Sequence, residues 1–383
     1  MTGMHDTDQH ASPGAKLLRS CIQRVATGPD YSKDLSFDET RDATAYILTG
    51  QADPVQAAVF FIGLRLKRET DAENRGALQA VLDATERVTA AVDELIDLAD
   101  PYDGFTRSLP MSPFLPAVLA ACGLPAVTHG VDCVGPKFGT THRHILAAAG
   151  VPVDLSPTQA AARLSQAEIG WTYIDQRSFC PALHALTDLR ARMIKRPVLT
   201  TVEVLANPIR GRSRTHYCTG YVHKPYPPVY LSLARQAGFD AAFTVRGIEG
   251  GIIPSLKQPS EAHGYHAPGE TEQATALEPS ALGISQETRA VPLPSDLPAA
   301  APRADGAQPD VDTAAAAEAA AAKGRAALAG EAGPALDALI YGAAICLQQL
   351  GRVDSLNAGA EQAREAIFSG QARARFEAAA AAA

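Results

Sequence analysis

Apolar positions recur at helical spacing through residues 15–90. Leu18, Cys21, Ile22 and Val25 fall at i, i+3, i+4 and i+7, the stripe of a helix with one buried face. Ser36 with Glu39, and Thr70 with Glu73, have the spacing of capping boxes, in which hydroxyl and carboxylate each satisfy a backbone N–H at the helix start. Asp53 before Pro54, with Gln56 three residues on, opens a further helix along which Val59, Ile62, Gly63 and Leu66 share a face. The pattern predicts a loose tail at 1–14 and a small all-helical domain over 15–90.

From about residue 91 short apolar or β-branched runs alternate with helical stretches. The candidate strands are 126–129, 171–174, 198–205, 215–222 and 241–246; the candidate helices lie near 112–122, 140–149, 157–165, 181–193 and 228–237. Such alternation predicts an α/β domain with a mostly parallel sheet over 91–296. Residues 297–332 are rich in Ala and Pro and include AAAAEAAAAK, which reads as a flexible insertion or weak surface helix with no direct function. Leu336, Leu339, Ile340, Ala343 and Leu347, then Leu356, Ala360, Ala363 and Ile367, make helical stripes. They place C-terminal helices at 333–378 that complete the α/β domain, before a frayed tail at 379–383.

Composition narrows the function classes. The 383 residues are 46% hydrophobic and 20% charged, a globular balance. No apolar run approaches the roughly 18 residues of a membrane span. The first residues have neither a basic nor an apolar segment of a secretory signal, so the expected location is cytoplasmic. Six scattered cysteines without a C-x-x-C pair read as reduced thiols, neither a zinc site nor a disulfide frame. The net charge of −8 argues against a protein coated by nucleic acid, whose affinity rests on Lys and Arg neutralising phosphates.

Against that acidic background, residues 207–224 carry Arg210, Arg212, Arg214 and Lys224 with His216 and His223, and no carboxylate. The run reads either as an anion site or as a solvated loop balancing nearby acids. His142, Arg143 and His144 open a helix, and His129 ends a strand, where ligand sites of α/β domains cluster.

Residues 35–76, with Gln56, Phe60, Phe61, Leu64, Arg65, Lys67, Glu69, Thr70 and Glu73, resemble the helical domain of the anthranilate phosphoribosyltransferase family, glycosyltransferase family 3. The likeness continues through THGVDCVGPKFG (128–139), 179–208, FTVRGIEGG (243–251), 277–284 and 337–372. It implies the nucleoside phosphorylase/phosphoribosyltransferase type of fold: a small all-helical N-terminal domain, a larger α/β domain, a cleft between them, and a homodimer through the helical domain. It also implies transfer of a pentosyl or phosphoribosyl group.

The family's chemical motifs are altered in this chain. The glycine-rich phosphate loop falls on DPYDG (100–104), and of the following N-I-S-T only Ser112 remains. His129 and Gly130 keep the middle of a K-H-G-N stretch, and Lys137 matches a family lysine. His184 stands where an arginine would grip an aromatic carboxylate. The magnesium-binding Asp-Glu pair falls on Ile252 and Ile253, which leaves Glu249 as the nearby candidate metal ligand. A diverged branch of the family shares Tyr102, Asp103, Gly104 and Arg107, and a G-x-E-G stretch at Gly247, Glu249 and Gly250.

The candidate ligand-binding set is therefore Tyr102, Asp103, Gly104, Arg107, Ser112, His129, Gly130, Lys137, His184, Arg210, Arg212 and Arg214. Three functions stay open: a transferase with a remodelled cleft for a phosphorylated small molecule or nucleotide, a non-enzymatic binder of single-stranded nucleic acid, and a metabolite-sensing homodimer.

Overall fold

The computed structural model describes residues 12–28, 30–304, 306 and 309–382. Residues 1–11 of the expected tail lie outside them. Residues 13 and 14 are helical, because the Ser12 hydroxyl accepts the Ala15 N–H and Pro13 fits the first helical position of α1 (Pro13–Val25). Both capping boxes form, at Ser36/Glu39 for α2 (Phe37–Leu48) and at Thr70/Glu73 for α4 (Asp71–Asp83). Asp53 caps α3 (Pro54–Lys67) through the Val55 and Gln56 N–H groups. At Gly76 the backbones of α2 and α4 approach so closely that a Cβ would strike the Phe37 carbonyl.

The buried face of α3 differs from the expected one. Ala57, Phe60, Phe61, Gly63 and Leu64 are buried, whereas Val55, Val59 and Leu66 are exposed at 68%, 39% and 78%. The helix is apolar on two sides, and periodicity alone could not say which one meets the rest of the chain.

Seven strands form the main sheet: β1 (Glu94–Ala99), β2 (Ala126–Gly130), β3 (Trp171–Asp175), β4 (Arg214–Tyr221), β5 (Ala241–Arg246), β6 (Ser260–Tyr265) and β7 (Gln273–Leu277). Their order is β3-β2-β1-β4-β5-β6-β7. Pairing is parallel from β3 to β5 and antiparallel from β5 to β7. The sheet separates two apolar clusters. Leu95, Ala99, Val127, Ile174 and Tyr217 face the helical domain, and Ile96, Leu98, Ala126, Trp171, Cys218 and Phe243 face the C-terminal helices. Successive residues of a strand point to opposite faces, which explains the alternation.

Three readings of the sequence are corrected. The β-branched stretch 198–205 is a helical turn, Leu199–Val202, followed by a 3-10 turn, Glu203–Leu205. Tertiary packing overrides strand propensity there, because the Glu203 carboxylate forms a buried two-point pair with Arg190, at 2.5 and 2.7 Å. Within the Ala/Pro-rich insertion, Thr313–Leu328 is a packed helix whose Ala316, Ala317, Ala320, Ala321, Gly324, Ala327 and Leu328 are buried. Small side chains allow that approach, and a Cβ at Gly324 would strike the Phe114 ring. The expected frayed end is also helical as far as Ala381.

Candidate functional site at the strand C-termini

The strand order reverses between β1 and β4, and open α/β sheets hold ligands beyond the C-terminal ends of strands at such a point. The loop leaving β1 runs through Asp100, Pro101, Tyr102, Asp103 and Gly104. Gly104 has φ +76, and a Cβ there would lie 2.5 Å from the Gly139 carbonyl carbon. No side chain fits, so this loop closes onto the segment bearing Lys137. Phe105 and Thr140 exchange backbone hydrogen bonds at 3.0 and 2.8 Å, and the Gly139 N–H donates to the Asp103 carbonyl at 2.9 Å. From the other side, the loop after β5 folds over β4. The Ile248 N–H donates to the Ile253 carbonyl at 3.0 Å, and Gly220 and Gly247 leave no room for a Cβ against that loop's backbone.

Between these loops and the helical domain lies a cleft of about 960 Å³. Its lining carries Arg65, Arg107, Lys137, Arg196, Arg246 and Arg289 against two carboxylates, Asp103 and Glu249. Asp103 accepts from Arg196 Nε at 2.9 Å and Nη2 at 2.5 Å, with Lys137 Nζ 3.6 Å away. Arg65 ties α3 to the α/β domain through the Tyr226 hydroxyl at 2.8 Å and the Pro197 carbonyl at 2.9 Å. Arg107, Arg246 and Arg289 are exposed. They take part in none of the ion pairs among the described residues.

Tyr102 and His129 stand behind this lining. Both are buried and bonded to each other, and His129 Nε2 lies 2.8 Å from Asp97 Oδ1. Burial pushes the Tyr102 phenol well above its ordinary pKa. Gly130 is buried beside the Tyr173 hydroxyl. Ser112 is also buried: it bonds Asp100 and lies 3.1 Å from His142 Nε2, while Asp100 accepts the Ile252 N–H at 2.8 Å. These groups brace the loops and are closed to a ligand in the cleft.

The remaining predicted residues are elsewhere. His184 is half-buried, 3.4 Å from Arg177, and outside the cleft lining; burial lowers its pKa. Arg210, Arg212 and Arg214 are at the opposite end of the sheet, and this corrects the expectation that they supply the cleft's cations. Arg214 pairs with Glu94 at 2.5 Å, Arg212 lies 4.0 Å from Asp93, and Arg210 donates to the Gly238 carbonyl at 2.7 Å. Strands β1 and β4 are parallel, so the start of β4 necessarily lies beside the acidic start of β1.

Arg196, Arg246 and Arg289 were not anticipated. Arg246 directly ends a strand run, which is a usable signal; the positions of Arg196 and Arg289 carry no comparable mark in the sequence.

A helical bundle docked on a largely parallel sheet, with a cleft at the strand C-termini, defines a two-domain glycosyl-transferase type of architecture. The profile of the glycosyl transferase family helical bundle domain matches residues 19–85, and that of the family's a/b domain matches residues 106–373. The chain belongs to this glycosyl transferase family.

Among relatives, it is 28% identical over 368 residues to an anthranilate phosphoribosyltransferase of Thermomicrobium roseum, covering 94% of this chain and 95% of that one. It is 29% identical over 353 residues to one of Sphingopyxis alaskensis, covering 92% and 97%. The anthranilate phosphoribosyltransferase structure of Thermus thermophilus shares the fold with a TM-score of 0.71 at 21% identity, over 95% of this chain and 98% of that one. The Saccharomyces cerevisiae enzyme, solved in complex with PRPP and Mg, gives 0.73 at 16% identity, over 94% and 96%.

The magnesium ion implied by the resemblance does not fit the residues present. The Ile252 and Ile253 side chains offer no ligand atoms, and both Glu249 oxygens accept hydrogen bonds from Thr106, Arg107 and Ser108. Among the described residues no group of three or more His, Cys, Asp or Glu could hold a metal. No helix among them is long and apolar enough to cross a membrane.

Proposed function

We propose that the cleft binds a phosphorylated pentosyl donor of the phosphoribosyl pyrophosphate type, with guanidinium groups in place of a protein-held magnesium ion, and that the protein transfers the pentosyl group to an acceptor. Family membership supports the reaction type. The observation that carries the ligand class is the cleft's surplus of cations, six against two carboxylates, in a chain of net charge −8. Breaking a sugar–diphosphate bond builds negative charge on the leaving group, and fixed cations aimed at that charge lower the barrier. Among the described residues Arg107, Arg246 and Arg289 have no carboxylate partner, which suits them to that role.

Calorimetric titration with phosphoribosyl pyrophosphate in EDTA tests the ligand. Binding is expected to match that measured with magnesium, and Arg246→Ala with Arg289→Ala is expected to weaken it at least tenfold. No heat at millimolar ligand overturns the reading. Pyrophosphate release on adding candidate amine acceptors tests turnover.

A further inference from the structure

Glu249 turns its carboxylate into a pocket of donors on the neighbouring loop. Oε2 accepts from the Thr106 N–H at 3.0 Å, and Oε1 accepts from the Arg107 N–H at 3.0 Å and the Ser108 hydroxyl at 2.9 Å. Lys137 Nζ lies 3.8 Å from Oε2, and the Glu249 side chain is only 5% exposed. Successive N–H groups converging with a hydroxyl and an ammonium make a concave donor set suited to any small oxyanion.

Two further observations set Glu249 apart from an ordinary tie between loops. Its backbone has φ 54 and ψ 15, the left-handed region that disfavours residues other than glycine. Its loop is also held without it, by the Ile248–Ile253 bond at 3.0 Å and by the Gly251 N–H on the Ile248 carbonyl at 2.9 Å. The donor set opens beside Arg107, on the rim of the cleft.

We propose that the Thr106 and Arg107 N–H groups, the Ser108 hydroxyl and Lys137 form a phosphate subsite that the chain's own Glu249 carboxylate fills, and that a phosphoryl group of the ligand takes over when the carboxylate moves aside. This rests on the reading of the cleft as a phosphoryl site and places one phosphate within it.

Glu249→Gly is the decisive variant. It empties the donor set, and glycine adopts φ 54 without strain. By calorimetry in low-chloride buffer, inorganic phosphate is expected to bind Glu249→Gly at least tenfold tighter than the parent protein. Acetate is expected to compete, and adding Ser108→Ala to cut the gain severalfold. Glu249→Gln, which keeps the side chain and removes its charge, is expected to show a smaller gain of about threefold; it serves if the glycine variant does not fold.

A folded Glu249→Gly that binds phosphate no tighter than the parent overturns the subsite, as does Glu249→Gln without gain. Such a failure leaves the proposed function standing if phosphoribosyl pyrophosphate still binds in an Arg246- and Arg289-dependent way. A gain in Glu249→Gly, alongside a parent that ignores phosphoribosyl pyrophosphate, keeps the subsite and removes that function.

Discussion

Single residues show what a sequence can and cannot reveal about charge. His216 sits among the arginines that were expected in the cleft. Burial first, and the Arg214 guanidinium second, push its pKa down to about 4. Glu94 lies 3.3 Å away and acts in the opposite sense, but its charge is shared with Arg214 and Arg352; Asp240 also favours the proton. Between pH 6.5 and about 4 the unfolded chain holds a proton that the folded chain does not. Stability therefore falls as the pH drops through that window, by about 1–3 kcal/mol. Urea unfolding at pH 7 and pH 5 is expected to show a smaller loss for His216→Gln than for the parent. Asp103, Gly104, Arg107 and Lys137 could be read from the sequence because their motifs fix their place on the loops after β1 and β2. The run at 210–214 was misplaced because a cationic stretch looks the same whether its counter-charge is a ligand or a carboxylate far away in the chain. Here that carboxylate is Glu94, which becomes its neighbour only through the β1–β4 register.

Elements were legible where period and boundary signals agreed. The capping boxes located α2 and α4, and β2, β3, β4 and β5 stood out as short apolar runs. β1 was missed although it is central: Glu94–Ala99 reads as a mixed segment until Asp97 is seen beside His129 in the core. The hairpin β6–β7 was missed as well, its residues being largely polar or small. The surplus apolar face of α3 leads to a prediction at this scale. Val55, Val59, Ile62 and Leu66 recur at i, i+4, i+7 and i+11, a stripe along one side of the helix in which Ile62 is half-buried and the other three are exposed. We propose that this stripe closes a homodimer. Val59→Lys with Leu66→Lys is expected to convert a dimer into a folded monomer in sedimentation velocity, with unchanged circular dichroism; a parent that sediments as a monomer refutes the proposal.

At the scale of the whole molecule, the division into a helical and an α/β domain followed from the change of period near residue 91, but their union did not. One apolar cluster runs from Leu18, Phe60 and Leu78 into Leu95, Val127, Ile174 and Tyr217 without a break, and Arg65 bonds across the junction. The two domains are expected to melt together: scanning calorimetry should show one transition, and Arg65→Ala should lower its midpoint without splitting it. Two resolved peaks would contradict a shared core. The cleft's charge has a consequence before any contact is made. An anion nearing this protein meets a chain of net charge −8 whose cleft lining nevertheless holds six cations against two carboxylates. The long-range field therefore sorts approach trajectories by direction, and dissolved salt, by shortening its reach, weakens that guidance.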